Sequence, residues 1–272
     1  MHLNKLVLFF LLFKFSLVAQ TNYGSNNGTY TTLLDTKIYY ETYGEGTPIL
    51  LLHGGFGSIR DFEKVIPILS QNHKVIIPDA PGLGRSAYAS KPLDYALLAE
   101  FSEKFIEILN LKEINVIGWS DGAITALILA QNKPELVKNL IIVGANYKSE
   151  GFKNIEEVKK WSNPEWIAKN WPRWVANYQK IDPNKDWKRY VVETKNYWFQ
   201  KQYFPQSHLK KLKAKTLVVY GDQDLYTIEH GLEIHKAIKN SQFCVLPNCS
   251  HEVFEEKPEL ISQLTIDFIN NK

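Results

Sequence analysis

Ser120 stands in Gly118-Trp119-Ser120-Asp121-Gly122, a small-x-Ser-x-small pattern that can present a serine hydroxyl as a nucleophile. A hydroxyl attacks poorly until a base removes its proton. That base is usually a histidine held by a carboxylate. The chain has seven histidines, and position separates them. His2 falls in an N-terminal apolar segment, and His73 precedes an extended run. His230 and His235 fall on a helical pattern, and His208 ends a long irregular segment. His53 opens a glycine-rich loop, where bracing the backbone suits it better than reacting. His251 follows the last apolar strand pattern, and Asp224 follows the one before it. Ser120, Asp224 and His251 are therefore the candidate nucleophile, orienting acid and base. Asp222 is the competing acid, and its place in the Gly221-Asp222 turn suits a structural role.

A tetrahedral oxyanion needs two preorganised N–H donors. The Asp121 N–H, at the start of the helix behind Ser120, is one candidate. The second comes from His53-Gly54-Gly55-Phe56-Gly57, where three glycines let the backbone approach a ligand closely. Gly55 is the first choice and Phe56 the alternative. Asp121, Phe56 and Trp119 are the candidate substrate contacts. The Asp121 carboxylate has two readings. A helix N-terminus favours a negative charge there. Yet a charge so near a developing oxyanion repels it in a water-poor site, unless the substrate brings a cation such as an α-ammonium. No spacing of Cys or His suits a metal, and no cofactor is implied.

These residues need a frame that brings loops to one edge. Tyr30 to Leu34 and Lys37 to Tyr43 alternate and read as an antiparallel hairpin turning at Asp35-Thr36. Ile49 to Leu52 and Lys74 to Ile77 then read as continuous apolar strands, as do Ile114 to Gly118 and Leu140 to Val143. Thr216 to Tyr220 and Phe243 to Leu246 complete the set. Such runs mark strands buried on both faces. Helical patterns over Asp61 to Leu69, Asp94 to Leu109, Ile124 to Gln131, Ile228 to Ile238 and Pro258 to Asn270 alternate with them. The pattern predicts a mostly parallel sheet with helices on both faces. From Tyr147 to about Leu212 the alternation stops, and six of the seven tryptophans fall there. This segment reads as a helical lid over the carboxyl edge of the sheet, where ligands bind.

The expected organisation is a signal peptide at 1–19, a first core part at 20–146, the lid at 147–212 and a second core part at 213–272. Lys5 precedes the apolar run Leu6 to Phe13, and Leu17-Val18-Ala19 offers a small residue at the cut. That run is too short to span a bilayer. The expectation is therefore export to the periplasm or beyond, with no stable membrane insertion after cleavage. The net charge of +3 falls to 3 − 2 = +1 once Lys5 and Lys14 are removed, which gives no footprint for nucleic acid. Cys244 and Cys249, if extended, lie about 16 Å apart, beyond disulfide reach.

His53-Gly54-Gly55, Asp79-x-Pro81-Gly82-x-Gly84-x-Ser86, the Ser120 turn, Gly221-Asp222-x-Asp224 and His251 together resemble the α/β-hydrolase superfamily. Within it, Gly118 to Leu127 and Val143-Gly144-Ala145-Asn146 resemble the valacyclovir hydrolase (biphenyl hydrolase-like) group. The resemblance implies the α/β-hydrolase fold and hydrolysis of esters, including α-amino acid esters, by a Ser-His-Asp triad. Ala123 departs from that group's third glycine but is still small. The expected substrate is a small ester or similar acyl compound. A carbon–carbon bond hydrolase or a proline-type aminopeptidase remains open on the same frame, as does a non-catalytic receptor, which would have no need of all three groups.

Overall fold

The computed structural model describes residues 23–24, 28–182 and 185–271; the expected leader, 1–19, lies outside them. Among the described residues one sheet holds eight strands: β1 (Thr29–Leu33), β2 (Thr36–Tyr43), β3 (Thr47–Leu52), β4 (His73–Pro78), β5 (Ile114–Trp119), β6 (Val137–Val143), β7 (Lys215–Gly221) and β8 (Ser241–Leu246). Their order is β1-β2-β4-β3-β5-β6-β7-β8. β1 and β2 pair antiparallel, as do β2 and β4, and every other pairing is parallel.

Period-two side chains explain why the central strands are apolar throughout. Ile49 and Leu51 of β3 face a cluster with Phe254 and Ile261, whereas Leu50 and Leu52 face a second cluster with Phe105 and Ile124. A strand between two helical layers has no solvent face to give to polar residues. The order reverses beside β3, which has β4 on one side and β5 on the other. Loops leaving β3 and β5 therefore diverge above and below the sheet and open a crevice at its carboxyl edge.

Two local expectations shift. The hairpin turn lies at Leu34 and Asp35, both with positive φ (47° and 61°), one residue before the expected place. The single helix expected over Asp61 to Leu69 is two pieces, a 3-10 turn Ile59–Phe62 and a short helix Ile66–Leu69. Pro67 is the reason: in a continuous helix its ring would strike the carbonyl of Glu63. Ser58 starts the first piece through a capping box with Asp61. Cys244 and Cys249 are both free thiols.

Between β6 and β7 the described residues make five α-helices: Ile155–Lys160, Pro164–Asn170, Pro172–Ile181, Trp187–Glu193 and Lys195–Trp198. Tyr190, Tyr197 and Trp198 from this insertion are buried in the larger core cluster. It is thus part of the core as well as a cover. No helix among the described residues is long and apolar enough to cross a membrane.

Candidate active site

Ser120 joins β5 to the helix Asp121–Asn132 with φ 54° and ψ −120°. A non-glycine residue held there costs about 1–3 kcal/mol. The turn is held by its own backbone. Ser120 N–H donates to the Val143 carbonyl at 2.9 Å, and the Ala123 and Ile124 N–H groups donate to the Ser120 carbonyl. Gly118 and Gly122 are required by contact. A Cβ at Gly118 would lie 2.4 Å from the Gly122 carbonyl oxygen, and one at Gly122 would lie 2.0 Å from the Leu52 carbonyl oxygen.

His251 Nδ1 meets Asp224 Oδ1 at 2.8 Å. Asp224 is buried and also accepts the Tyr226 N–H at 3.2 Å. With Nδ1 engaged, Nε2 is the imidazole nitrogen left for proton transfer. Burial of the ring works against its charge, but the charge and hydrogen bond of Asp224 outweigh burial and lift its pKa above the ordinary 6.5. Asp222 instead accepts the Asn248 and Cys249 N–H groups at 2.9 and 3.0 Å, fixing the loop that carries His251. Gly144 lies behind the pair with φ 56°, and a Cβ there would lie 2.7 Å from His251 Cε1.

Trp119 is buried, and its indole N–H donates to the His251 carbonyl at 2.9 Å. It ties the end of β5 to the histidine loop in addition to lining the cavity. Phe56 has φ 60° and is clasped by the insertion. Its N–H donates to the Tyr190 hydroxyl at 3.1 Å, and its carbonyl accepts the Trp174 indole N–H at 2.7 Å. The engaged Phe56 N–H favours Gly55 as the candidate second donor. The Asp121 N–H opens its helix, where no intrahelical acceptor exists for it. His53 is neutral and braces two loops: its Nδ1 meets the Gly54 carbonyl at 2.8 Å, its Nε2 accepts the Ala80 N–H at 2.9 Å, and burial lowers its pKa to about 4.

The Asp121 carboxylate is buried and already partnered. Oδ1 accepts the Tyr95 hydroxyl and Oδ2 accepts the Trp198 indole N–H, each at 2.8 Å. Burial pushes its pKa up to about 6 against the pull of those two donors. It is therefore a joint between the helix Asp121–Asn132, the helix Tyr95–Ile108 and the insertion. Neither simple helix-dipole placement nor a vacant amine receptor describes it fully. Tyr95 and Trp198 lack any local sequence signal for this role, since both reach Asp121 from remote elements.

Ser120 and His251 line one cavity of about 530 Å³. Phe56, Trp161, Trp171, Trp174 and Trp198 give it aromatic walls, and Tyr226 stands edge-on to His251 with ring centroids 5.5 Å apart. Asp61, Asp121 and Glu252 are its carboxylates, and no Lys or Arg lines it among the described residues.

A serine on a strained strand-to-helix turn, in one cavity with a hydrogen-bonded carboxylate–imidazole pair at the switch point of such a sheet, is the architecture of an α/β hydrolase. The family model for the alpha/beta hydrolase fold matches residues 47–171 and 158–258, and the chain belongs to that family. It is 26% identical to the 2-hydroxy-6-oxo-6-phenylhexa-2,4-dienoate hydrolase of Comamonas testosteroni, over 88% of this chain and 93% of that one. It is also 26% identical to the human serine hydrolase BPHL, over 86% of this chain and 83% of that one. A solved bacterial membrane phospholipase A superposes with a TM-score of 0.76 at 20% identity, covering 90% of this chain and 86% of that one. The protein is a hydrolase of the α/β fold, similar to a dienoate hydrolase and to a serine hydrolase.

The partnering of Asp121 makes a stability prediction. Asp121→Ala strands the buried Tyr95 hydroxyl and Trp198 indole N–H without an acceptor. Unfolding free energy should fall by about 2–4 kcal/mol in urea denaturation, and Asp121→Asn, which keeps one acceptor oxygen, should lose less. An unchanged midpoint for Asp121→Ala would remove this joint from the account.

Proposed function

We propose that this protein is a serine hydrolase that cleaves small carboxylic esters through an acyl-enzyme. The observation that carries the reading is the strained Ser120 turn opening on the same cavity as His251, whose ring is bonded to the buried Asp224. Ser120 Oγ attacks the ester carbonyl carbon while His251 Nε2 takes the hydroxyl proton. The N–H groups of Asp121 and Gly55 receive the oxyanion. As the carbonyl re-forms, the C–O bond to the leaving group breaks and His251 returns the proton to the departing oxygen. Water, deprotonated by His251, then attacks the acyl carbon and frees Ser120. Asp224 holds the imidazole tautomer throughout, and the insertion acts as a lid that keeps the reaction dry. The leader reading would place this activity outside the cytoplasm.

Carbon–carbon bond hydrolysis is the second reading, favoured by the similarity to the dienoate hydrolase. A dienoate is an anion. A cavity with three carboxylates and no Lys or Arg among its described lining residues suits an anionic substrate poorly. An ester with an α-ammonium suits it better, because Asp121 Oδ1 and Oδ2 each keep acceptor capacity beyond their single donors.

Against an ester panel, Ser120→Ala and His251→Ala should each lose about 10⁴-fold or more in kcat/KM. The imidazolium cannot take a proton, so kcat/KM should fall tenfold per pH unit on the acid side of a single pKa. That pKa should lie above 6.5, the direction in which Asp224 moves His251. A flat profile from about pH 5 to 8 with chemistry rate-limiting would remove His251 as the base.

Asp121→Asn separates the two uses of that carboxylate. It should cut kcat/KM on an α-aminoacyl ester by about 10-fold to 100-fold and act much less on the des-amino ester of the same size. Equal losses on both esters would withdraw the amino-ester specificity and leave Asp121 as a joint.

A further inference from the structure

In the reaction proposed above, His251 hands its proton to the departing atom, so the leaving group must sit on the His251 side of the cavity. Glu252 follows His251 directly, and Trp119 bonds the His251 carbonyl. Asp61, Trp119, Trp174 and Glu252 line the catalytic cavity and also a second one of about 330 Å³ that shares this wall. The wall that the two cavities share beside His251 is therefore made of indoles and carboxylates.

The acidic charge on this wall is only partly offset by Arg60. The outer cavity adds Glu63 and Glu255 against Arg60, and Lys64 pairs with Glu255. Asp61 uses Oδ2 to accept the Ser58 N–H at 2.9 Å. Neither Asp61 nor Glu252 takes part in an ion pair among the described residues. Burial, with the charge of Glu252 adding to it, pushes the Asp61 pKa up to about 7. A cation seated beside the two would relieve that repulsion. A neutral apolar leaving group would be served by the indoles alone, and would desolvate the carboxylates for no return. An anionic one would be repelled by them.

We propose that the preferred leaving group carries a positive charge, an ammonium or quaternary ammonium, received by the indoles of Trp119 and Trp174 and the carboxylates of Asp61 and Glu252. The inference rests on the hydrolase reading and goes further by naming the alcohol side of the ester. It is separate from an α-ammonium at Asp121, which would belong to the acyl side. Indole faces attract cations through the ring quadrupole, and most strongly where water is excluded.

The test compares a choline ester with the 3,3-dimethylbutyl ester of the same acid, in which carbon replaces nitrogen at nearly constant shape. The choline ester should have a kcat/KM about 10-fold higher at low ionic strength. That ratio should shrink toward one as salt rises, and it should shrink again in Glu252→Gln. Equal kcat/KM for the two esters overturns the inference while leaving the hydrolase reading in place. Failure to turn over either ester, with Ser120 intact, counts against the hydrolase reading instead. Tryptophan fluorescence then still decides the cation site, by titration with choline against 3,3-dimethylbutan-1-ol. Tighter binding of choline supports it, and equal binding overturns it.

Discussion

Backbone crowding around Ser120 is the constraint on which the site depends. With no side chain at Gly118 or Gly122, the start of the helix Asp121–Asn132 packs directly on the end of β3. That contact brings the His53–Gly57 loop to the serine from one side, while hydrogen bonding to Val143 holds the turn from the other. The strain of a positive φ at Ser120 is small beside the packing of β3, β5 and β6, so the sheet can hold it. The same closeness sets a limit. Any group added at these glycines moves backbone, and with it the candidate oxyanion donors.

Charge is the second theme, and Asp121 concentrates it. Placing a carboxylate beside a developing oxyanion opposes the reaction. The protein moderates this with two neutral donors, Tyr95 and Trp198, and a buried setting that makes the carboxylate harder to ionise. Trp198 comes from the insertion, so the chemistry of the elbow and the placement of the cover are linked through one side chain. Phe56 makes the matching link on the other loop through Tyr190 and Trp174. Both candidate oxyanion segments are thus held by residues of the insertion, of which Trp174 and Trp198 also wall the cavity.

The fold and the members of the site were legible because they are written locally. An apolar strand, a small-x-Ser-x-small turn and a helix lie within twenty residues, and Asp224 and His251 each follow a strand of recognisable pattern. What remained hidden is long-range. Gly144 reads as part of a family-like stretch after a strand, but nothing near it announces that it must be bare for His251 and Asp224 to approach. Tyr190 and Trp198 lie in an insertion whose short helices lack a long period, so the pattern shows an aromatic cover without showing which ring touches Asp121 or Phe56. The helix over Asp61 to Leu69 was misread because its apolar spacing outweighed Pro67, although the proline ring forbids the continuous form.

The central claim is that Ser120 is the activated nucleophile of this cavity. Its most direct test is a fluorophosphonate probe, followed by peptide mass mapping of the adduct. The account predicts a single stoichiometric adduct on Ser120, formed faster as pH rises through the His251 pKa and absent in Ser120→Ala. An adduct at another residue, or a Ser120 that stays unmodified in a folded enzyme still turning over ester, would contradict it.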